Sequence, residues 1–388
     1  MQQKKSDLHV GIIGGGQLGK MMLTEMKKMN LQAAILDPDA DCPAHSLADD
    51  HLIADFFDSE AIKRLAARTD IITYEFEHID AGVLQELSGA GHTIYPRPWN
   101  LQVINNKLDQ KKLLAEKDIP VPEFIAVSNR QDLKEASEQL GRPFMLKSCT
   151  GGYDGKGNYL VEEGENPEKA FAELEGGERE LMAEEYIPYT REISALICRR
   201  PRGTALLYPL AHNIHENSIL KKTQVPAVLP ENLRGRAGEI AYRVADIFSA
   251  VGLFCIELFV TEEEVLLNEV APRPHNSGHF SLEACITSQF ENHIRAILDL
   301  PLGSTGLISP AAMRNILGSP PAGPTRVEGL EEALSVPESK IHLYGKSRTY
   351  KDRKMGHITA LAETAEEASV LAEEARAKIN ICGVEEDH

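Results

Sequence analysis

Through residue 95 the chain alternates short apolar, β-rich runs with amphipathic helical stretches, and few folds accept that rhythm. The runs HVGIIG (9–14), LQAAILD (31–37), DIITYEF (70–76) and HTIYP (92–96) are interleaved with LGKMMLTEMKKM (18–29) and SEAIKRLAARTD (59–70). Parallel strands need a crossover between them and a helix supplies it, so the alternation predicts βαβ units and a parallel sheet. The first turn carries Gly14, Gly16 and Gly19 in G-x-G-x-x-G spacing, and Asp37 closes the next run. Glycines there permit a tight turn, close approach of an anion to backbone N–H groups and close helix packing, at a helix N-terminus whose dipole favours negative charge. That geometry asks for a phosphate. An acidic residue about 20 positions further on would select a ribose and favour a dinucleotide, so Asp37 keeps an NAD-linked oxidoreductase open as an alternative.

Around Pro96 and Pro98 the rhythm changes, and LDQKKLLAEKDIPVPEF (108–124) predicts a helix stopped by Pro120 and Pro122. From 123 to 300 the pattern is α+β: short strands, a glycine-rich loop, a polar hairpin, and long helices expected at 231–251 and 278–298. A Pro/Gly-rich stretch, GSPPAGPTRVEG, then leads to the strand-like KIHLYGK and GHITALAE and to an Ala/Glu-rich helix over about 364–380. The 388 residues thus divide into a Rossmann-like parallel-sheet unit at 1–99, a central α+β unit at 100–300 and a small C-terminal α+β unit at 301–388.

Charge narrows the function. With 59 acidic against 41 basic residues the net charge is −18, which opposes nonspecific attraction to nucleic acid or an anionic membrane. An anionic substrate must therefore meet a local cationic cluster, and YGKSRTYKDRKMGH (344–357) offers Lys346, Arg348, Lys351, Arg353 and Lys354. The six cysteines are scattered without a C-x-x-C pair, which suits free thiols in a reducing cytoplasm. MQQKKSDLH precedes no signal-like apolar core, and no apolar run reaches the roughly 18 residues of a membrane span. A soluble cytoplasmic protein is expected.

Two further stretches carry chemistry. SCTGGYDGKGNY (148–159) places four glycines within seven positions after a strand-like run, with Lys147 just before the loop and Lys156 within it. Such a loop can lay N–H groups against phosphate oxygens, although Gly157 stands where a Walker A motif has Ser or Thr. CIELFVTEEEVLLNEVAPRPHNSGH (255–279) reads as a hairpin. Centred on Glu263, it sets Glu257 directly opposite Glu269, a repulsive pair unless a hard cation lies between them. A turn with an even number of residues would instead send one glutamate to solvent. Arg273, His275, Asn276 and His279 follow within seven residues.

Taken together, GGGQLG, YEFEH (74–78), GGYDGKG, EEYI (184–187), NEVAPRPHNSGH and GKSRTYKDRKMGH resemble, in order, the blocks of the ATP-grasp superfamily. Within it they are similar to the 5-(carboxyamino)imidazole ribonucleotide synthetases of purine biosynthesis. The resemblance spans essentially the whole chain and makes the central unit the ATP-grasp domain. It implies a cytoplasmic, usually homodimeric ligase that uses ATP with magnesium or manganese to join bicarbonate to aminoimidazole ribonucleotide, by way of carboxyphosphate. A formate-dependent glycinamide ribonucleotide transformylase is the sister alternative. By matching motif, Lys107, Lys147, Gly152, Tyr153, Asp154, Gly155, Lys156, Gly157, Asn158, Glu184, Glu185, Tyr186, Ile187, Glu192, His215, Asn268 and Glu269 would hold ATP, and Glu257 and Glu269 the metal. Tyr153, Asp154, Arg273, His275 and Asn276 would be catalytic, facing bicarbonate and the ribonucleotide. Gly16, Gln17, Leu18, Glu75, Lys346 and Arg353 would bind the ribonucleotide. Lys107 stands where the family often has arginine, keeping the charge without the planar fork, and Pro274 replaces a small aliphatic residue.

Overall fold

The computed structural model describes residues 8–152 and 157–384. Its N-terminal sheet is parallel throughout, in the order Asp50–Leu52, Gln32–Leu36, His9–Ile13, Ile71–Tyr74, Thr93–Ile94. Chain order reverses on either side of His9–Ile13. A crevice therefore opens beyond the carboxyl ends of that strand and Ile71–Tyr74, where open α/β sheets bind ligands. The helix Gln17–Lys28 buries Leu18, Met22 and Met26 in a cluster shared with Phe290, Ile294 and Ile297 from the helix Gln289–Ile297. This apolar seam fixes the N-terminal unit against the rest. The helix Pro98–Ile104 runs across position 99, and its Asn100 amide donates to the Phe248 carbonyl.

Two antiparallel sheets make the central region. The smaller orders Phe124–Val127, Leu181–Glu185, Phe144–Ser148 and Asn158–Val161, with Arg130–Leu140 and Pro167–Glu173 packed on its core. The larger includes Val265–Ala271, Gly252–Val260, Arg191–Arg199, Ala211–Glu216 and Ile219–Val225. It does not stop at residue 300. Ala311–Leu317 pairs with Ile219–Val225 and continues through Lys354–Leu361 to Ser339–Leu343, so the C-terminal residues extend the central sheet.

Local expectations fail where tertiary partners intervene. The helix expected at 278–298 is two, Ser281–Ala284 and Gln289–Ile297. Between them Cys285 bridges to Leu307, the Thr287 N–H donates to the Ser304 carbonyl, and the Ser288 side chain caps the second helix by accepting from the Glu291 N–H. The Pro/Gly-rich stretch also contributes a strand, Gly323–Glu328, which pairs with Asn380–Gly383. The expected helix at 231–251 stops earlier, as Glu231–Ile247. Ala365–Lys378 begins as the sequence suggests, with a capping box between Thr364 and Glu367.

Candidate active site

A cavity of about 370 Å³ lies between the two central sheets. From the smaller sheet come Lys147 and Glu184, on neighbouring strands, and the helix Lys107–Glu116 adds Lys107 and Lys111 one turn apart. Glu184 is the hub. Its side chain is 1% exposed, one oxygen lies 2.8 Å from Lys111 Nζ and the other contacts Lys147 Nζ. Burial alone would raise this carboxyl, but Lys111 and Lys147 outweigh it and hold it at about 2. Burial pulls the Lys111 ammonium down to about 8 against the same charge, and Lys111 also donates to the Leu267 carbonyl at 2.9 Å. Two cations thus stand in a dry wall with one anion between them.

The opposite wall is the hairpin Gly252–Val260/Val265–Ala271. Glu257 does lie opposite Glu269, but not through a turn centred on Glu263. Val260 pairs with Val265, leaving four turn residues, an even number. The ladder then slips at Glu257/Leu258, where Asn268 is inserted as a bulge. Without the extra residue, alternation would set residue 268 opposite Glu257 and turn residue 269 to the other face. With it, the consecutive Asn268 and Glu269 both line the cavity.

The two carboxyls are electrostatically unequal. Burial, then Glu269 and Glu192, push Glu257 well above the usual carboxylate range, whereas Lys107, 3.4 Å away, holds Glu269 below it. His275 Nε2 lies 3.3 Å from Glu257 Oε1. Its Nδ1 accepts from the Ser277 N–H, and burial followed by the Arg273 charge keeps the ring neutral, so the proton sits on Nε2 and points at Glu257. Beside them, neither buried amide atom of half-buried Asn276 has a hydrogen-bond partner among the described residues. Hard oxygen donors and an orphaned amide fit a magnesium-type cation.

The rest of the expected nucleotide set gathers around the same space. His215 Nδ1 is 2.9 Å from Glu192, and Gly152, Asn158, Glu185, Tyr186 and Ile187 line the cavity with them. Tyr189 and Phe259 add parallel stacked rings with centroids 4.7 Å apart. The Gly157 carbonyl accepts from the Ser148 N–H at the foot of the glycine-rich loop. Tyr153, Asp154, Gly155 and Lys156 lie outside the described residues.

At the N-terminal crevice the glycine turn is tied down by carboxylates. Gly15 N–H donates to Asp37 at 2.7 Å, and the N–H groups of Gly16 and Gly19 donate to the two oxygens of Glu75 at 2.6 Å each. Gly14 adopts φ +104°, and a Cβ there would run into Glu75. The Gly16 amide, in the turn expected to bind the ribonucleotide, is thus already taken by Glu75. The first-turn amides of Gln17 and Leu18 remain without an acceptor among the described residues. Asp37 also accepts from Asp39 N–H, so each of its oxygens already serves the fold, which weakens the basis for the oxidoreductase reading.

Lys20 reaches across to the Leu343 and Tyr344 carbonyls, bringing the basic C-terminal loop to this crevice; burial raises the Glu75 carboxyl above its ordinary value, opposed by the Gly19 and Gly16 amides and, more weakly, by the Lys346 charge. Arg353 lies on the Tyr350 ring, its centre 5.3 Å from the centroid, and donates to the Arg348 carbonyl. Arg273 pairs with Glu77 of the YEFEH block at 2.8 Å. Two participants escaped the sequence reading, Lys111 and Glu77, and Lys354, read there only as one of a basic cluster, lines the cavity. Lys111 carried a signal, since it is one turn from Lys107, and Lys354 stood within the basic string. Nothing local marked Glu77.

The chain matches known proteins along its length. Residues 8–105 match the ribonucleotide synthetase preATP-grasp domain, 112–290 the ATP-grasp domain and 311–370 the phosphoribosylaminoimidazole carboxylase C-terminal domain. The N5-carboxyaminoimidazole ribonucleotide synthase of Bacillus subtilis is 41% identical over 361 residues, 92% of each chain. The crystal structure of N5-carboxyaminoimidazole ribonucleotide synthetase from Thermotoga maritima has a TM-score of 0.88 at 39% identity, covering 97% of this chain and 100% of that one. The Aspergillus clavatus N5-carboxyaminoimidazole synthase, in complex with ADP and 5-aminoimidazole ribonucleotide, has a TM-score of 0.87 at 34% identity, covering 96% of this chain and 100% of that one.

Proposed function

The chain belongs to the N5-carboxyaminoimidazole ribonucleotide synthase family of ATP-grasp ligases, and from that premise we propose that it carboxylates the exocyclic amine of 5-aminoimidazole ribonucleotide with bicarbonate, converting ATP to ADP and phosphate. The observation that carries the reading is the facing pair of walls: Lys107, Lys111 and Lys147 with Glu184 on one side, Glu257, Glu269 and orphaned Asn276 on the other. A chain of net charge −18 has little other reason to concentrate cations around a cavity.

Bicarbonate is a poor electrophile. One of its oxygens attacks the γ-phosphorus, ADP leaves, and the resulting carboxyphosphate delivers its carbon to the amine as phosphate departs. Positioning and charge neutralisation supply most of the catalysis of such a transfer. Lys147 and Lys107 face the phosphates, and His215 with Glu192 and the 184–187 segment would hold the rest of ATP. Arg273, His275 and Asn276 would address bicarbonate, with Tyr153 and Asp154 from the glycine-rich loop. The ribonucleotide phosphate would sit on the Gln17 and Leu18 amides, opposite Lys346 and Arg353. Glu257 and Glu269 would hold magnesium or manganese, which would supply positive charge to offset that of the phosphates. The protein would act in the cytoplasm as a homodimer, a reading that rests on the family resemblance.

The test is ADP release with each candidate acceptor, with and without bicarbonate. Release should require magnesium and rise with aminoimidazole ribonucleotide plus bicarbonate. Turnover on glycinamide ribonucleotide with formate instead would move the chain to the sister activity.

A further inference from the structure

We propose that Glu283, His342 and His357 form a binding site for a divalent transition-metal ion of the zinc class, separate from the phosphate cavity. None of the three lines that cavity. His342 and His357 are directly opposed on the paired strands Ser339–Leu343 and Lys354–Leu361, and Glu283 reaches them from the helix Ser281–Ala284. One ring nitrogen of each histidine and one carboxylate oxygen all lie within 4.8 Å of one another. Two imidazoles and a carboxylate are a donor set that suits zinc and its neighbours better than magnesium.

The independent sign of a missing ligand is a pair of orphaned atoms. His357 is fully buried and its Nε2 has no hydrogen-bond partner among the described residues; neither has buried Glu283 Oε2. Buried polar atoms are ordinarily satisfied, and one cation would satisfy both. The outer shell is already built. His357 Nδ1 lies 3.0 Å from the Tyr344 hydroxyl, a bond that orients the ring and, with Nδ1–H as donor, leaves the Nε2 lone pair free. His342, with a third of its side chain exposed, offers the entry path, and its Nε2 meets Glu283 Oε1 at 2.7 Å. The two rings stack 4.4 Å apart at 8°. Ligand lone pairs lie in the ring planes, so binding one ion turns the rings out of that stack. The ion would tie the helix following His275 and Asn276 to the C-terminal strands.

The test titrates the full-length protein, held in excess magnesium, with zinc and with cobalt(II), followed by calorimetry and visible absorption. One equivalent should bind and raise the melting temperature, and the cobalt spectrum should lack a thiolate charge-transfer band. His342→Gln and Glu283→Gln, both at partly exposed side chains, should each weaken binding by roughly tenfold or more, while Cys255→Ser leaves it unchanged. No bound equivalent overturns the site. So does unaltered affinity in both variants, or a thiolate band lost in Cys255→Ser, which would put the ion on Cys255, Glu257 and His275, a second group of suitable donors.

Discussion

Replacing Glu184 by glutamine keeps the shape of the side chain and removes one charge from a site where that charge has two partners. The lowering of this carboxyl from 4.5 to about 2 corresponds to roughly 3 kcal/mol of stability, present above the unfolded value and lost as pH falls through the folded one. Lys111 runs the other way. Its descent from 10.5 to about 8 costs a similar amount, roughly 3 kcal/mol below pH 8, and the cost disappears as pH rises towards the unfolded value. The two nearly cancel, as is common for buried ion pairs, but glutamine deletes only the favourable half and strands two cations. Breaking such a pair costs about 3–5 kcal/mol. At about 2–4 °C per kcal/mol for a unit of this size, the melting temperature should fall by about 6–20 °C. The half-saturating ATP concentration should rise as well, because Lys147 loses the contact that aims it. Calorimetry and ADP release read the two effects. The double variant Lys111→Met/Glu184→Gln removes a stranded cation and should recover more than half of the stability. A single variant melting within roughly 2 °C of the parent, or a double variant no better than the single, would refute the argument.

Glu269→Gln should abolish most turnover while the fold persists, since it removes a metal-facing charge and a cross-strand repulsion together; near-normal activity at limiting magnesium would take Glu269 out of the site. Because Glu257 is held well above the usual range, a cation must displace its proton, so the half-saturating magnesium concentration should fall as pH rises. Lys346→Ala should raise the half-saturating ribonucleotide concentration much more than that of ATP, and equal effects would place Lys346 elsewhere. Asp37→Ala should loosen the glycine turn by about 1–3 kcal/mol through two lost hydrogen bonds, and neither parent nor variant should bind NADH saturably; stoichiometric NADH binding lost in the variant would restore a dinucleotide site.

Periodicity in the sequence sufficed for the parallel sheet, because each run of HVGIIG and LQAAILD reports locally which residues leave water. The motif blocks likewise named most of the residues that line the cavity. What they could not contain is register. Glu257 and Glu269 face each other only because a bulge at Asn268 undoes the offset of a four-residue turn, two local deviations that compensate without a trace in the alternation. The glycine turn looked like an empty phosphate seat until Glu75, 59 residues from Gly16, filled part of it. The helix expected at 278–298 broke where Cys285 and Thr287 found backbone partners at Leu307 and Ser304. Glu77 meets Arg273, and Lys111 meets Glu184, across separately folded elements. A face's burial is written into neighbouring residues and can be read along the chain. Which distant carboxylate meets which cation depends on how finished elements pack, and no local pattern carries that.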